Sequence, residues 1–362
     1  MIRKARAMKQ APVFSKGRDL DTTATVLQPW LATRLEVPSV EIEDLDYPRG
    51  AGISNETILI RVRSAAAVDE FVLRIAPAPE YQMFFDPKFR IQYDILVALR
   101  EHGGVRVPEA LWYEEDPELL GRPFYLMRRM HGRVPVSMPV YNSEGWLTEA
   151  SPEQRRVLWD SAMEQLTAVT RIPVSAVPFV DRPEHGAAGD EQQLAYWQRY
   201  AEWALGDDIP GTVATLLRWL ADNRPAGTTP GLSWGDARMG NIMFGNDFRV
   251  VGVMDWEQAA LADPVADLAW WLLFDEMHST ALDVPRLPGL GTRTETIDRW
   301  QELTGLRADN LLWQEVFAGL KAGLLSLHTG RSLRLPSVKS RRGPYIPHVC
   351  RLLGLPDPED LR

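Results

Sequence analysis

The spacing of apolar positions predicts a helix followed by several strands in the first third of the chain. Residues 22–34 carry apolar side chains at helical intervals, which indicates a helix that packs on one face. Residues 57–62 alternate between apolar and polar side chains, and residues 71–75 and 124–127 are short apolar runs of strand length. We therefore expect a region rich in β-structure after the first helix.

Helical patterns dominate further along the chain. Ser151, Pro152 and Gln154 predict a helix start, because a Ser at the N-cap and a Gln three residues later satisfy free backbone N–H groups. The buried stripe of this helix is predicted at Leu158, Ala162, Leu166 and Val169. Residues 192–205 carry aromatic side chains at intervals of three to four, a stripe that is more often core than pocket.

A hairpin pattern lies between the helical regions. Residues 242–244 and 248–254 predict two strands, and the Gly-Asn-Asp sequence at 245–247 is typical of a hairpin turn. Such a turn returns Asp255 to the end of the hairpin where Asn241 and Asp236 lie. The sequence therefore predicts that three oxygen-bearing side chains converge.

These three side chains are the parts that phosphoryl transfer from ATP requires. One carboxylate accepts the proton of the acceptor hydroxyl group, while an Asn and a second Asp hold Mg²⁺ against phosphate oxygens. Mg²⁺ binds hard oxygen ligands, and water molecules and phosphate oxygens fill its remaining coordination positions. We predict Asp236 as the catalytic residue and Asn241 and Asp255 as the metal ligands. Asp and Asn also occur in ordinary turns, but Asp255 ends a β-rich run, where no turn role is at hand.

Composition narrows the class of protein. A length of 362 residues suggests two lobes or domains, and 45% hydrophobic with 25% charged residues is ordinary globular composition. The net charge of −9 disfavours nucleic acid as the main partner. The single cysteine, Cys350, excludes an intramolecular disulfide framework, and a buried thiol in a reducing cytoplasm is expected.

Targeting and membrane signals are weak. The longest apolar run, residues 268–274, is far shorter than the ~20 residues of a membrane helix, so no span is expected. The basic start of the chain has no apolar segment, which indicates a solvated tail rather than a signal peptide.

Five stretches resemble, in order, the aminoglycoside phosphotransferase family in its broad sense, which includes choline and homoserine kinases and phosphotransferase domains related to acyl-CoA dehydrogenases. They are GAGISNETILI at 50–60, FVLRIAP at 71–77, VPEALWY at 107–113, GRPFYLMRRMHG at 121–132 and WGDARMGNIMFGNDFRVVGVMDWEQAALADPVADLAWW at 234–271. The similarity covers about residues 25–275.

This resemblance implies an α+β, protein-kinase-like fold with two lobes and ATP bound in the cleft. A flexible tail at 1–21 would precede a small, antiparallel, β-rich N-lobe at 22–130. Residues 131–362 would form a larger, mainly helical C-lobe that carries the catalytic loop and the acceptor site.

The resemblance also implies a set of nucleotide-binding positions. Four of them form a glycine-rich turn over the ATP phosphates, where glycine lets backbone N–H groups approach an anion. An arginine on the next strand would bind the α- and β-phosphates, and its planar guanidinium group binds phosphate oxygens in a different geometry from a lysine. Two linker residues would lie at the adenine edge. These positions are Gly50, Gly52, Ser54, Asn55, Arg74, Arg129 and Met130. Each set has a structural alternative. The glycine-rich turn could be an ordinary turn between strands, the arginine a surface side chain, and the two linker residues part of the core.

Three further positions bear on the function. Kinase-like folds pair the phosphate-binding cation with a Glu on the next helix, whereas residues 89–100 place Gln92 there, and a neutral amide cannot neutralise Arg74. Asp267 matches the family's helix-start carboxylate, which is expected to cap the helix or brace the catalytic loop. A basic segment at 331–342 is typical of a solvated surface run, although it would also suit a phosphate-bearing acceptor such as a CoA thioester.

The sequence thus predicts a cytoplasmic, Mg-ATP-dependent phosphotransferase that transfers the γ-phosphate of ATP to a hydroxyl group of a small molecule. The motifs favour the branch near acyl-CoA dehydrogenases, and hence a neutral or acidic acceptor, such as a hydroxyacyl thioester, over a polycationic aminoglycoside. Three alternatives stay open: a catalytically weak nucleotide- or metabolite-binding module, an aminoglycoside or macrolide O-phosphotransferase, and a Mg²⁺-dependent hydrolase on a different fold. The ordered N-lobe motifs disfavour the last of these.

Overall fold

The protein is described by a computed structural model that covers residues 18–48, 54–332 and 343–361. Internal contacts divide the chain into two compact units. The first unit consists of the described residues of Met1–Gln82 together with Glu109–Arg129, and the second of those of Met83–Pro108 and Met130–Arg362. The predicted functional bounds of the two lobes stay predictions.

The first unit is built on a five-stranded antiparallel sheet with the strand order β1-β2-β3-β5-β4. Its elements are α1 (Leu20–Arg34), β1 (Glu41–Asp46), β2 (Glu56–Arg63), β3 (Val68–Ile75), β4 (Ala110–Glu114) and β5 (Phe124–Arg128). The alternation predicted for β2 is present, since Ile58, Ile60 and Val62 are buried in one core cluster with Leu27 and Leu31 of α1. Burial of this apolar face stabilises the helix against the sheet.

The start of α1 is fixed by local hydrogen bonds. Asp19 caps the helix, because its side chain accepts from the backbone N–H groups of Asp21 and Thr22. Arg18 belongs to the tail predicted as flexible, but its Nη1 donates to the carbonyl oxygen of Leu120 at 2.9 Å and its Nη2 lies 3.3 Å from Glu56 Oε2. Residues 19–21 of the predicted tail form the N-cap and the first residues of α1, and residues 1–17 lie outside the described residues.

The second unit is mainly helical. Its helices are α2 (Phe89–His102), α3 (Trp146–Glu149), α4 (Pro152–Val169), α5 (Asp190–Leu205), α6 (Gly211–Asp222), α7 (Val265–Met277), α8 (Arg293–Thr304), α9 (Leu311–Ser332) and α10 (Tyr345–Leu352). Its short strands are β6 (Gly231–Ser233), β7 (Ile242–Phe244), β8 (Val250–Val253) and β9 (Ala260–Ala262). The strands form two antiparallel pairs, β6 with β9 and β7 with β8. The predicted α+β class is confirmed.

The predicted helix start before α4 is confirmed as a complete capping box between Ser151 and Gln154. The predicted stripe of α4 is buried throughout. On α5, Tyr196, Trp197 and Tyr200 belong to a large core cluster, whereas Trp203 is 40% exposed. Cys350 is buried, as expected. None of the helices in the described ranges combines the length and the apolar character that a membrane span needs.

The hairpin differs from the prediction at its turn. The second strand begins at Val250 rather than at residue 248, because Phe248 has a left-handed φ of 62° and lies in the turn. The N–H group of Arg249 donates to Asp247 Oδ1 at 3.1 Å, which stabilises the longer turn. The predicted pairing of the two strands is nevertheless confirmed, with Ile242 opposite Val253.

Candidate active site

A tight loop follows β6 and carries Asp236. At its start Gly235 has a φ of 87°, a conformation that glycine adopts without steric cost. A Cβ atom at this position would overlap the carbonyl oxygen of Gln258. Only glycine therefore permits this close approach, which directs the chain into Asp236 and then into the short turn Met239–Asn241.

Asp267 on α7 braces this loop. Its Oδ1 accepts from Ser233 Oγ at 2.8 Å and from the N–H of Gly235 at 2.9 Å, and its Oδ2 accepts from the N–H of Trp234 at 2.7 Å. Burial raises the pKa of Asp267, although these donors act in the opposite direction. Of the two roles expected for Asp267, the bracing role is confirmed. The first turn of α7 is instead satisfied by Asp263, whose Oδ1 accepts from the N–H of Val265 at 2.8 Å.

The carboxylate of Asp236 is buried and held by three side chains. Its Oδ1 accepts from Trp270 Nε1 at 2.8 Å and from Arg238 Nε at 3.0 Å. Its Oδ2 accepts from Asn241 Nδ2 at 2.6 Å. These donors fix the orientation of the carboxylate, and the predicted convergence of Asp236 and Asn241 is confirmed by direct contact.

The hairpin places Asp255 beside Asn241. The N–H of Met254 donates to the carbonyl oxygen of Asn241 at 2.9 Å, so the next residue along the chain, Asp255, lies at the same end of the hairpin. Asp255 has a left-handed φ of 62°, a sparsely populated conformation for a non-glycine residue. Trp234 Nε1 donates to the carbonyl oxygens of Met254 and Asp255, at 2.9 and 3.1 Å, and so helps to hold this conformation. Strained backbone of this kind clusters at functional sites.

The donor set fits Mg²⁺. Asn241 uses its amide nitrogen toward Asp236, and its amide oxygen is a ligand of the kind that Mg²⁺ takes. Within the described ranges no group of three or more His, Cys, Asp or Glu side chains could form an all-protein cage. Mg²⁺ is typically held by one or two protein oxygens together with substrate phosphates, which matches this pair.

Arg238 is part of the site although it is not among the residues predicted from the sequence. Besides its bond to Asp236, its Nη1 donates to Ser137 Oγ at 3.1 Å, and its guanidinium lies 5.5 Å from the ring centre of Phe274. Burial acts to lower the pKa of Arg238, but the carboxylates of Asp236 and Asp255 raise it above its ordinary value. The signal in the sequence was a cation two positions after Asp236 in the same loop.

Aromatic side chains line the surroundings of Arg238 and Asp236. The ring of Phe274 contacts both His278 and Tyr345, and Tyr141 packs edge-on against His278 at 5.5 Å. Burial, followed by the charge of Arg238, lowers the pKa of His278 to about 4, so this ring is neutral at pH 7. Nearby, Asp275 forms an ion pair with Arg286.

The predicted phosphate-binding residues that the structure describes lie in the first unit. Ser54 and Asn55 are buried just before β2, whereas Gly50 and Gly52 lie outside the described residues. Arg74 on β3 donates through Nη1 to Thr57 Oγ1 at 3.0 Å, its cross-strand neighbour on β2. Their role toward a nucleotide stays a prediction.

The two predicted linker residues fall in different units. The N–H of Arg129 donates to the carbonyl oxygen of Glu70 at 3.0 Å in the first unit. Met130 belongs to the second unit, where its side chain fills the space next to Gly252. Gln92 is buried on α2. Of the basic segment, Arg331 donates to the carbonyl oxygen of Leu205 at 2.9 Å, and residues 333–342 lie outside the described residues.

Comparison with known proteins identifies the class. The model of the phosphotransferase enzyme family (APH) matches residues 48–303. The chain belongs to this family of phosphotransferases, which confirms the resemblance and supports a kinase-type enzyme.

Curated relatives lie in the branch that the motifs indicated. One is the probable acyl-CoA dehydrogenase IBR3 of Arabidopsis thaliana, 29% identical over 231 residues, which are 61% of this chain and 27% of that protein. Another is human acyl-CoA dehydrogenase family member 11, 26% identical over 230 residues, which are 62% of this chain and 27% of that protein. The match thus spans about a quarter of the length of these relatives.

Solved structures share the fold. A Ralstonia eutropha JMP134 protein, provisionally assigned as an aminoglycoside phosphotransferase, has a TM-score of 0.65 at 18% identity and covers 91% of this chain and 95% of its own. A macrolide 2′-phosphotransferase has a TM-score of 0.58 at 16% identity, with coverages of 92% and 99%. An aminoglycoside phosphotransferase complexed with ADP and hygromycin B has a TM-score of 0.56 at 16% identity, with coverages of 90% and 98%. The predicted kinase-like fold is confirmed.

Proposed function

We propose that this chain is a Mg-ATP-dependent phosphotransferase that moves the γ-phosphate of ATP to a hydroxyl group of a small molecule. The observation that carries the proposal is the 2.6 Å contact between Asn241 Nδ2 and Asp236 Oδ2, with Asp255 held in a left-handed conformation beside them. A carboxylate, an amide oxygen and a second carboxylate at one place supply a base and two metal ligands.

Asp236 is the proton acceptor in this proposal. The hydroxyl oxygen of the acceptor attacks the γ-phosphorus, its proton passes to the Asp236 carboxylate, and the bond to the β–γ bridging oxygen breaks to release ADP. Because three side chains already hold Asp236, its carboxylate needs no rearrangement to orient the hydroxyl group. Positioning of this kind is the main protein contribution when the transition state is loose.

The remaining predicted residues hold the nucleotide. Mg²⁺, held by the Asn241 amide oxygen and the Asp255 carboxylate, would neutralise charge on the phosphate oxygens. Arg74 and the glycine-rich turn at 50–55 would bind the triphosphate, and Arg129 and Met130 would lie at the adenine. We add Arg238 as a cation beside Asp236 that offsets negative charge at the point of transfer.

We also propose that the acceptor is neutral or anionic. Among the described residues, the charged groups around Asp236 on the side of Phe274 include the Arg238 cation and the Asp275–Arg286 ion pair, while His278 is neutral. A polycationic aminoglycoside is expected to favour unpaired carboxylates, whereas an acceptor with an apolar or aromatic part can pack on Phe274 and Tyr345. The aromatic contacts therefore favour an acceptor with an apolar part over a polycationic aminoglycoside.

Two measurements test the proposal. Thermal shift with ATP, with and without Mg²⁺, separates a nucleotide-binding protein from one that does not bind. ATP consumption with hydroxy acids, their CoA thioesters, macrolides and aminoglycosides then separates an enzyme from the weak, non-catalytic module that Gln92 suggests. Stabilisation by Mg-ATP without turnover of any acceptor would favour the module. Turnover of aminoglycosides alone, with kcat/KM above ~10⁴ M⁻¹s⁻¹, the ordinary lower range for a true substrate, would contradict the proposed acceptor class.

A further inference from the structure

A buried lysine lies behind the catalytic loop on a helix that none of the sequence motifs includes. Lys321 on α9 is only 9% exposed. It lines a small cavity with Asp267, Gln258 and Trp270. In the described part of the chain, no hydrogen bond or ion pair ends on its Nζ atom. A charged side chain in such a place is costly for the fold.

The partners of Lys321 are aromatic faces. Its Nζ lies 4.9 Å from the ring centre of Trp270 on α7, 5.2 Å from that of Trp197 on α5 and 5.8 Å from that of Phe317 on α9. An ammonium group in this range of an indole face is attracted by the ring quadrupole, most strongly where water is excluded.

Trp270 connects this cation to the candidate base. The face of its indole meets Lys321, and its Nε1–H group donates to Asp236 Oδ1 at 2.8 Å. A positive charge over the indole ring makes its N–H group a stronger donor, because it draws electron density away from the nitrogen. The same charge also acts directly on the nearby carboxylates of Asp267 and Asp236.

We propose that Lys321 is a positioning residue for phosphoryl transfer, and that its charge acts through Trp270 to strengthen the hydrogen bond that orients the Asp236 carboxylate. The catalytic part of this inference rests on the proposed function, whereas the coupling between Lys321 and Trp270 does not. The lysine charge is then kept for activity at a cost to stability, a known exchange in active sites.

The protonation of Lys321 supplies a direct test of the coupling. Burial lowers the pKa of Lys321 to about 8, while the carboxylates of Asp267 and Asp236 oppose that shift. Arginine at the same position would stay charged throughout the accessible range of pH. The charge over Trp270 is therefore expected to disappear above about pH 8 in the natural protein but not in Lys321→Arg.

The first measurement follows the NMR resonance of the Trp270 indole Nε1–H group as the pH rises. The resonance is assigned by its absence from the spectrum of Trp270→Phe. It is expected to shift with a midpoint near the lysine pKa of about 8 in the natural protein and to stay constant in Lys321→Met. Lys88→Met, which removes a partly exposed lysine paired with Glu184, is the matched control and should leave the shift unchanged. A Trp270 resonance that does not titrate, or that titrates equally in Lys321→Met, would overturn the coupling whether or not the protein is an enzyme.

The second measurement compares turnover and stability. Lys321→Met is expected to unfold at the same temperature as the natural protein or higher, because a buried charge is removed. Its kcat should fall about tenfold with KM for ATP within about twofold, since orientation of the base and not ATP binding is affected. Lys321→Arg should restore most of the loss. Once Trp270→Phe has removed the hydrogen bond, Lys321→Met should cause little further loss.

The outcomes separate the two proposals. If the natural protein transfers phosphate and Asp236→Asn does not, the proposed function is supported, independently of Lys321. Unchanged kcat in Lys321→Met, or losses that simply add in the double variant, would overturn the positioning role and leave the proposed function intact. Absence of turnover in the natural protein would count against the proposed function and against a catalytic role for Lys321, and the NMR titration would still decide the coupling.

Discussion

Asp255, a proposed metal ligand, has a strained backbone conformation. Its left-handed backbone conformation is unfavourable for a residue with a Cβ atom, and the bond from Trp234 to its carbonyl oxygen helps to hold it. Asp255 lies two residues after the end of β8 and just before a turn in which the N–H of Ala259 donates to the carbonyl oxygen of Trp256 at 3.0 Å. In the proposed function, this conformation serves to present a carboxylate beside Asn241.

Replacement of Asp255 by glycine tests this explanation, because glycine removes both the carboxylate and the strain. We expect Asp255→Gly to keep or raise the unfolding temperature of the free protein, by up to about 1 kcal/mol of stability. We also expect it to lose the additional stabilisation that Mg²⁺ gives in the presence of ATP. Asp255→Asn, which tolerates the same backbone, is the control for the loss of charge alone. Equal Mg-ATP shifts in Asp255→Gly and the natural protein would remove Asp255 from the metal site.

At the scale of elements, the site depends on how β6, the loop after it and the β7–β8 hairpin meet α7. Asp267 on α7 receives three hydrogen bonds from residues 233–235, and Trp270, one turn further along, reaches Asp236. Gly235 is the position at which the loop cannot accept a side chain.

Gly235→Ala is expected to destabilise the fold by at least about 2 kcal/mol and to reduce turnover more than this loss explains, because the loop must move away from Gln258. Gly305→Ala is the matched control. Gly305 ends α8 with a φ of 72°, and a Cβ atom there would meet none of the described residues within 4 Å, so only backbone strain of about 1 kcal/mol is expected. Chemical denaturation of both variants measures the difference. Equal losses would show that the contact with Gln258 does not matter.

Local patterns predicted the elements better than their boundaries and missed the long-range contacts. The hairpin was predicted from the composition of its turn, and the contact of Asp236 with Asn241 from their separation of five residues. Both predictions succeeded because they depend on residues close together in the chain. The predicted start of β8 at residue 248 was wrong. Phe248 has a left-handed backbone conformation that extends the turn, and a phenylalanine does not indicate such a conformation in the sequence. Lys321 could not be predicted as a neighbour of Trp270, because that contact depends on how α9 packs on α7.

At the scale of the whole molecule, buried ionisable groups make stability depend on pH. His278 has a pKa lowered from 6.5 to about 4, chiefly by burial. The unfolded chain therefore binds a proton between about pH 6.5 and 4 that the folded chain does not, so stability falls as the pH falls through this window.

Removal of this histidine is expected to flatten the acid side of the stability curve. His278→Phe keeps a ring against Tyr141 and Phe274 but cannot take up a proton. Between pH 7 and pH 4 the natural protein should lose about 3 kcal/mol more than His278→Phe, the free energy of a pKa difference of this size. Urea denaturation at both pH values measures it, and equal losses in the two proteins would show that His278 is not the group responsible.

The central claim is that Asp236 accepts the proton of a small-molecule hydroxyl during transfer of the γ-phosphate of ATP. The most direct measurement follows label from γ-labelled ATP into an acceptor, with Mg²⁺, for the natural protein and Asp236→Asn side by side. We expect transfer by the natural protein, at least about 10²-fold slower kcat in Asp236→Asn, and similar affinity of both for ATP. Label transfer at equal rates in the two proteins would contradict the account.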